Sequence, residues 1–111
     1  MNGSFIDPGA LRTELSLQQA SLTADGLGGH AESWGEVATV FALVEPVSAA
    51  SRFGADQTVE TVTHKITVRF RNDLNSGMRF ARGGRVFEIV SALDPDETGR
   101  YLVCRAREKG R

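Results

Sequence analysis

The chain has 111 residues, of which 41% are hydrophobic and 24% charged, and its net charge is −1. That length suits one domain with one modest core, and it excludes a two-domain enzyme or an eight-stranded α/β barrel. A near-neutral total argues against a whole-molecule electrostatic nucleic-acid binder, no apolar run approaches the ~20 residues of a membrane span, and one cysteine with two histidines excludes an internal disulfide framework and argues against structural zinc.

In chain order, the N-terminal arm 1–10 carries neither the basic nor the apolar segment of a signal peptide. Leu11, Thr13, Leu15 and Leu17 then alternate with Arg12, Glu14, Ser16 and Gln18, which predicts a half-buried strand. Thr23 to His30 is glycine-rich and reads as a loop. Trp34 to Val44 is apolar on both faces past Val37, which predicts a central strand covered on two sides, with Trp34 as a core anchor and Pro46 ending it. Residues 47–57 show no alternation and read as a short helical turn or a long loop. Val59 to Arg71 alternates strictly: Val62, His64, Ile66, Val68 and Phe70 form one face, against a face of threonine, lysine and arginine.

Asn72 to Gly77 is a turn cluster, and Met78–Phe80 opens a strand. Arg82-Gly83-Gly84-Arg85 reads as a tight hairpin turn, followed by a strand from Val86 to Val90. Asp94 to Gly99 is a further turn. Tyr101 to Arg107 closes the fold with Leu102, Cys104 and Ala106 on one face, and the chain frays from Glu108. The prediction is an all-β fold, a small six-stranded antiparallel barrel or sandwich with a long loop between strands 2 and 3 and at most one short helix. One β domain spans 11–108, with 109–111 as a tail.

The residues offer no active site. Cys104 sits mid-strand and behaves as a small buried hydrophobe, and His64 lies on an apolar face as a core or rim residue. Asp94, Asp96 and Glu97 lack calcium-loop spacing, and Gly26-Leu27-Gly28-Gly29 lacks the context of a phosphate loop. Catalytic, cofactor-binding and metal-ligating residues are therefore all expected to be absent. Arg69, Arg71, Arg79, Arg82 and Arg85 supply a basic face for phosphates, but no exposed aromatic pair accompanies them for base stacking.

Charge is uneven along the chain. Residues 1–64 hold two basic and eight acidic residues, net −6, whereas residues 65–111 hold eleven basic and six acidic, net +5. Either acidic and basic strands pair within the fold, or one copy's basic surface meets the next copy's acidic one. Arginine outnumbers lysine eleven to two, which favours interface use. No large apolar surface stripe is evident, which fits a stable monomer that assembles only on a template.

The order of features carries a resemblance. An early Leu11-Arg12 strand precedes a Gly-rich loop and a tryptophan strand running Phe41-Ala42-Leu43-Val44-Glu45-Pro46; Thr63-His64-Lys65-Ile66-Thr67-Val68-Arg69-Phe70-Arg71, Gly84-Arg85-Val86-Phe87-Glu88-Ile89-Val90 and a strand through Cys104 follow. From about Leu11 to Glu108 this resembles the head–tail joining proteins of tailed bacteriophages, also called head-closure or stopper proteins, and is most similar to the version in alphaproteobacterial gene transfer agents. The opening Leu11-Arg12-Thr13-Glu14 is less basic than the family usually shows.

The resemblance implies a non-enzymatic ring in the neck of a phage-like particle, between the adaptor and the tail terminator, closing the DNA channel and supporting tail attachment. The implied partners are further copies of the chain, the adaptor on the head side, the tail terminator on the tail side, and packaged DNA without sequence specificity; no membrane or cofactor is implied. Assembly would take place in the bacterial cytoplasm. By position, the connection between strands 2 and 3 would reach the channel, with Ser48, Ser51, Arg52, Phe53 and Asp56 as candidates. Glu36, Glu45, Glu60, Arg69, Arg71, Arg79 and Arg82 are the subunit-interface candidates. The alternative is a small β-barrel module that binds nucleic acid or peptide.

Overall fold

The computed structural model describes residues 6–24, 26–47 and 61–110. Six strands follow one 3-10 turn at Pro8–Ala10: β1 (Thr13–Ala24), β2 (His30–Pro46), β3 (His64–Arg69), β4 (Arg79–Arg82), β5 (Arg85–Leu93) and β6 (Tyr101–Lys109). All neighbours are antiparallel, and the sheet closes in the order β1-β2-β3-β6-β5-β4. The expected all-β barrel with one short helical turn is the fold observed.

Period-two alternation sets the inside. Leu15 and Leu17, Val40 and Ala42, Ile66 and Val68, Phe80, Phe87 and Ile89, and Leu102, Cys104 and Ala106 all point inward and are buried. A six-stranded barrel has room only for side chains. Small residues (Ala42, Cys104, Ala106) on β2 and β6 share that space with Phe80 and Phe87. Leu74 and Met78 from the β3–β4 connection join the same cluster. Bulges place Val37 of β2 and Val90 of β5 opposite no partner. Such extra residues sharpen strand twist, which helps a short sheet curl closed. Gly83 and Gly84 adopt φ of 53° and 86°, as the two-residue turn between β4 and β5 requires.

Cys104 is fully enclosed, and burial alone pushes its thiol pKa up to about 12. A thiolate-selective reagent is therefore expected to leave the native protein unmodified and to label it stoichiometrically in denaturant. Rapid native labelling, read by intact mass, would contradict that enclosure.

Several elements differ from the sequence expectation. β1 runs on to Ala24, and only the short segment before His30 turns the chain. β3 is confined to His64–Arg69; Val59 and Glu60 lie outside the described residues, and Phe70, expected on the buried face, is 41% exposed because the ladder has ended there. β6 continues through Glu108 and Lys109, where it pairs with Phe87 and Val86, so the fraying expected from Glu108 does not begin there. The largest difference concerns β2. Only one of its faces is buried, and Val37 and Phe41 are 39% and 55% exposed on the other. A closed single-layer barrel has one inside, so among the described residues no second layer lies over β2.

Candidate assembly surfaces

Three places on the barrel bring chemistry-bearing side chains together. The first is the barrel end at which β2 hands over to β3. Here Val47 N–H donates to the Thr63 carbonyl at 2.9 Å, and Thr63 N–H donates to the Ala106 carbonyl at 2.9 Å. The His64 ring meets Phe87 edge-on, with centroids 5.0 Å apart, and its Nδ1 lies 2.9 Å from Thr63 Oγ1. Arg85 stands over the Phe87 ring at 4.9 Å and donates two bonds to the Glu108 carboxylate, at 2.8 and 3.1 Å. Such a fork is the strongest geometry available to an arginine–carboxylate pair. The histidine thus sits at the rim, as its place on an apolar strand face predicts.

Burial lowers the His64 pKa below 6.5, nearby Glu108 raises it in part, and Arg85 adds to the lowering. A depressed histidine pKa means that the folded state prefers the neutral ring. Its contribution to stability is complete above the unfolded value near 6.5 and is lost as pH falls through the folded value. The urea midpoint of the wild type should therefore fall between pH 7.5 and pH 5 by more than that of His64→Phe. Equal falls in the two proteins would remove His64 from the pH response.

The second place is the outer face of β2, β3, β6 and β5. Cross-strand pairing lines up Leu43, Thr67, Val103 and Leu93 in one row. Leu93 is 67% exposed, Leu43 and Val103 are half-buried, and Thr67 lies sunk between them. Phe41 extends the apolar surface along β2. One neighbouring row is Glu45, Lys65, Arg105 and Ser91; on the other side Arg69 pairs with Tyr101 and lies 6.0 Å over its ring. Among the described residues, Phe41, read as part of a face covered by a second layer, is thus exposed at this surface, with half-buried Leu43 next to it.

The third place is an arm. Beyond Gln18 and Glu36, six residue pairs from Gln19–Gly35 to Ala24–His30 continue β1 and β2 as a two-stranded ribbon that pairs with no third strand among the described residues. One ribbon face presents Ala20 beside Trp34 and Leu22 beside Glu32. Trp34 is not a core anchor: the Arg79 guanidinium of β4 sits 4.1 Å over its ring, and Arg79 Nε donates to Gln18 Oε1 at 2.7 Å. The arm thus leans over β4. Ala20, Glu32 and Trp34 face Ser76, Glu88 and Arg107 across a groove of about 410 Å³. Leu22 and Leu27 are 67% and 91% exposed.

The sequence-derived candidates separate accordingly. Ser48, Ser51, Arg52, Phe53, Asp56 and Glu60 lie outside the described residues. Glu36 accepts bonds from Ser16 Oγ at 2.8 Å and Thr39 Oγ1 at 3.2 Å, at the base of the arm. Glu45 pairs with Lys65 at 3.6 Å. Arg71 is held by Asp73 through a fork of 3.0 and 2.9 Å, which lowers the Asp73 pKa, and Arg82 donates to the Glu14 carbonyl. Glu88 is held ionised below the ordinary carboxylate range, first by Arg107 and then by Lys109. Among the described residues, Lys65–Glu45 is the one ion pair that joins the acidic half of the chain to the basic half. Pairing between the halves therefore accounts for little of the charge asymmetry among the described residues.

Among the described residues, no cluster of three or more histidine, cysteine or acidic side chains is placed to hold a metal, and no helix is long and apolar enough to cross a membrane. The family model described as phage head completion protein matches residues 6–109. A chain in the solved virion of a native gene transfer agent particle is 32% identical, with a TM-score of 0.65 over 87% of this chain and 93% of that one. The solution structure of protein SF1141 from Shigella flexneri 2a is 28% identical, with a TM-score of 0.64 over 91% of this chain and 96% of that one. No curated protein sequence matches the chain.

Proposed function

Because the chain belongs to the phage head completion family, we propose that it is a non-enzymatic neck protein of a phage-like particle. It forms a ring between the adaptor on the head side and the tail terminator on the tail side, closes the DNA channel after packaging and supports tail attachment. The observation that carries this reading is the 32% identity to a chain of a gene transfer agent virion over 87% of the sequence. Two features of the described residues support it: large apolar side chains exposed on the outer face and the arm, and a single ion pair between the acidic and basic halves of the chain. A cyclic ring needs two different surfaces of one subunit to meet.

In this reading the connection after Pro46, with Ser48, Ser51, Arg52, Phe53 and Asp56, faces packaged DNA without sequence recognition. Of the interface candidates Glu36, Glu45, Glu60, Arg69, Arg71, Arg79 and Arg82, Glu60 lies outside the described residues. Glu36, Glu45, Arg71, Arg79 and Arg82 already have partners within the chain, so their first task is local. Arg69 has a ring beneath it and no carboxylate among the described residues, which leaves it for a neighbour. Particles assemble in the cytoplasm, and no membrane is involved.

The test is quantitative mass spectrometry of purified particles, together with deletion of the gene. Presence at the copy number of a ring, with tailless heads that leak DNA in the deletion strain, is the expected result. Absence from particles, with normal heads and tails in the deletion, would overturn the reading and leave the free barrel as a binding module.

A further inference from the structure

The arm and the apolar row are two halves of one contact. The arm springs from β1 and β2 and leans over β4, whereas the row centres on β3 and β6, which lie across the closed barrel from β4 and β1. The arm's Ala20, Glu32 and Trp34 border the groove against Glu88 and Arg107 of the same chain, Leu22 on the same arm is 67% exposed, and the row lies further along β5 and β6. Two different patches of one chain that meet between copies make a head-to-tail contact, which can repeat around a ring.

Their chemistry is complementary. Near its end the arm presents Leu22 directly opposite Glu32, and both are exposed. The row presents Leu43, Val103 and Leu93, with Arg69 on one side and Arg105 on the other. Among the described residues neither arginine is ion-paired, and Glu32 faces Arg107 of its own chain only across the groove. One patch is apolar with an acid, the other apolar with arginines, the arrangement of a dry centre with a charged rim. Reach is adequate: six residue pairs at ~3.3 Å per residue give the arm a length of about 20 Å. A two-stranded ribbon is at best marginally stable alone, so seating it on a neighbour also gives it a third layer.

We propose that, in the ring, the β1–β2 arm of one copy lies on the outer row of the next copy, with Leu22 on the neighbouring pair Val103 and Leu93 and with Glu32 beside Arg105. This rests on the ring reading above and goes further by assigning the two surfaces.

The test uses particles made with the double variant Leu22→Cys/Leu93→Cys and treated with a short bis-maleimide linker. Both positions are 67% exposed, so the substitutions spare the core, and enclosed Cys104 does not compete for the linker. A ladder of multiples of this chain is expected from the double variant and none from either single variant. Glu32→Arg or Arg105→Glu alone should lower incorporation into particles, and the two together should restore it. Normal copy number with only a single band would overturn the assignment of surfaces while leaving the ring reading intact. Linking of Leu93→Cys to a different particle protein would also overturn it, because the row then belongs to another neighbour. Absence of the chain from particles would overturn the ring reading and this inference together.

Discussion

Phe80→Ala is expected to lower the unfolding free energy by about 3–5 kcal/mol, the range for truncating a fully enclosed aromatic residue. Phe80 has no exposed surface. It pairs with Leu17 of β1 on one side and with Phe87 of β5 on the other, so it spans the seam at which β4 closes the barrel. β4 has only four residues and few ladder bonds of its own to hold it there. Ala42, Cys104 and Ala106 in the same core cannot extend into the space left behind, so a cavity persists rather than collapses. Total stability for a domain of this size is of order 5–15 kcal/mol, so the loss removes a large share of it. Urea unfolding of wild type and variant, followed by tryptophan fluorescence and circular dichroism, gives the difference. A loss below about 1 kcal/mol, less than half of the low end for such truncations, would mean that the seam is not held by this side chain.

The inner face of the barrel was legible because alternation reports one covered face, and β3, β5 and β6 each have one. The Arg82–Arg85 turn was legible because two consecutive glycines serve a positive-φ hairpin. The arm was not legible. Between Gln19 and Ala24 and between His30 and Gly35 neither face is consistently apolar, so no period marks the pairing that backbone bonds alone sustain. Trp34 misled for the same reason: its ring is covered by an arginine from a strand 45 residues away rather than by a core. Phe41 and Leu43 misled most usefully. Apolar residues on both faces of β2 state that both are meant to be covered; they do not state by what. A second layer of the same chain and a surface of another molecule write the same pattern into a strand. The family resemblance was legible because it rests on the order of segments rather than on any one side chain. The roles of Ser48, Ser51, Arg52, Phe53, Asp56 and Glu60 fall outside the described residues and stand on position alone.

That distinction between the two faces of β2 yields the second large effect. Phe41→Lys is expected to leave folding unchanged within about 0.5 kcal/mol, as befits a half-exposed site outside the core. Phe41 is opposite Glu14 in the β1–β2 ladder, so the new ammonium gains a favourable cross-strand neighbour rather than a repulsive one. Assembly should respond in the opposite sense. A lysine at this position brings a hydrated charge to the apolar surface, beside Arg69, and a neighbour whose apolar residues seat there would have to strip its water. Weakening each contact by about 1.4 kcal/mol lowers its association roughly tenfold, and a ring repeats that loss at every interface. The expected outcome is a variant with a wild-type urea midpoint that is at least roughly tenfold depleted from purified particles, read by quantitative mass spectrometry. By contrast, Phe80→Ala should fail at folding before assembly is reached. Normal incorporation of a folded Phe41→Lys protein would show that this end of the outer face stays in solvent, and the exposure of Phe41 would then need a partner other than the next copy.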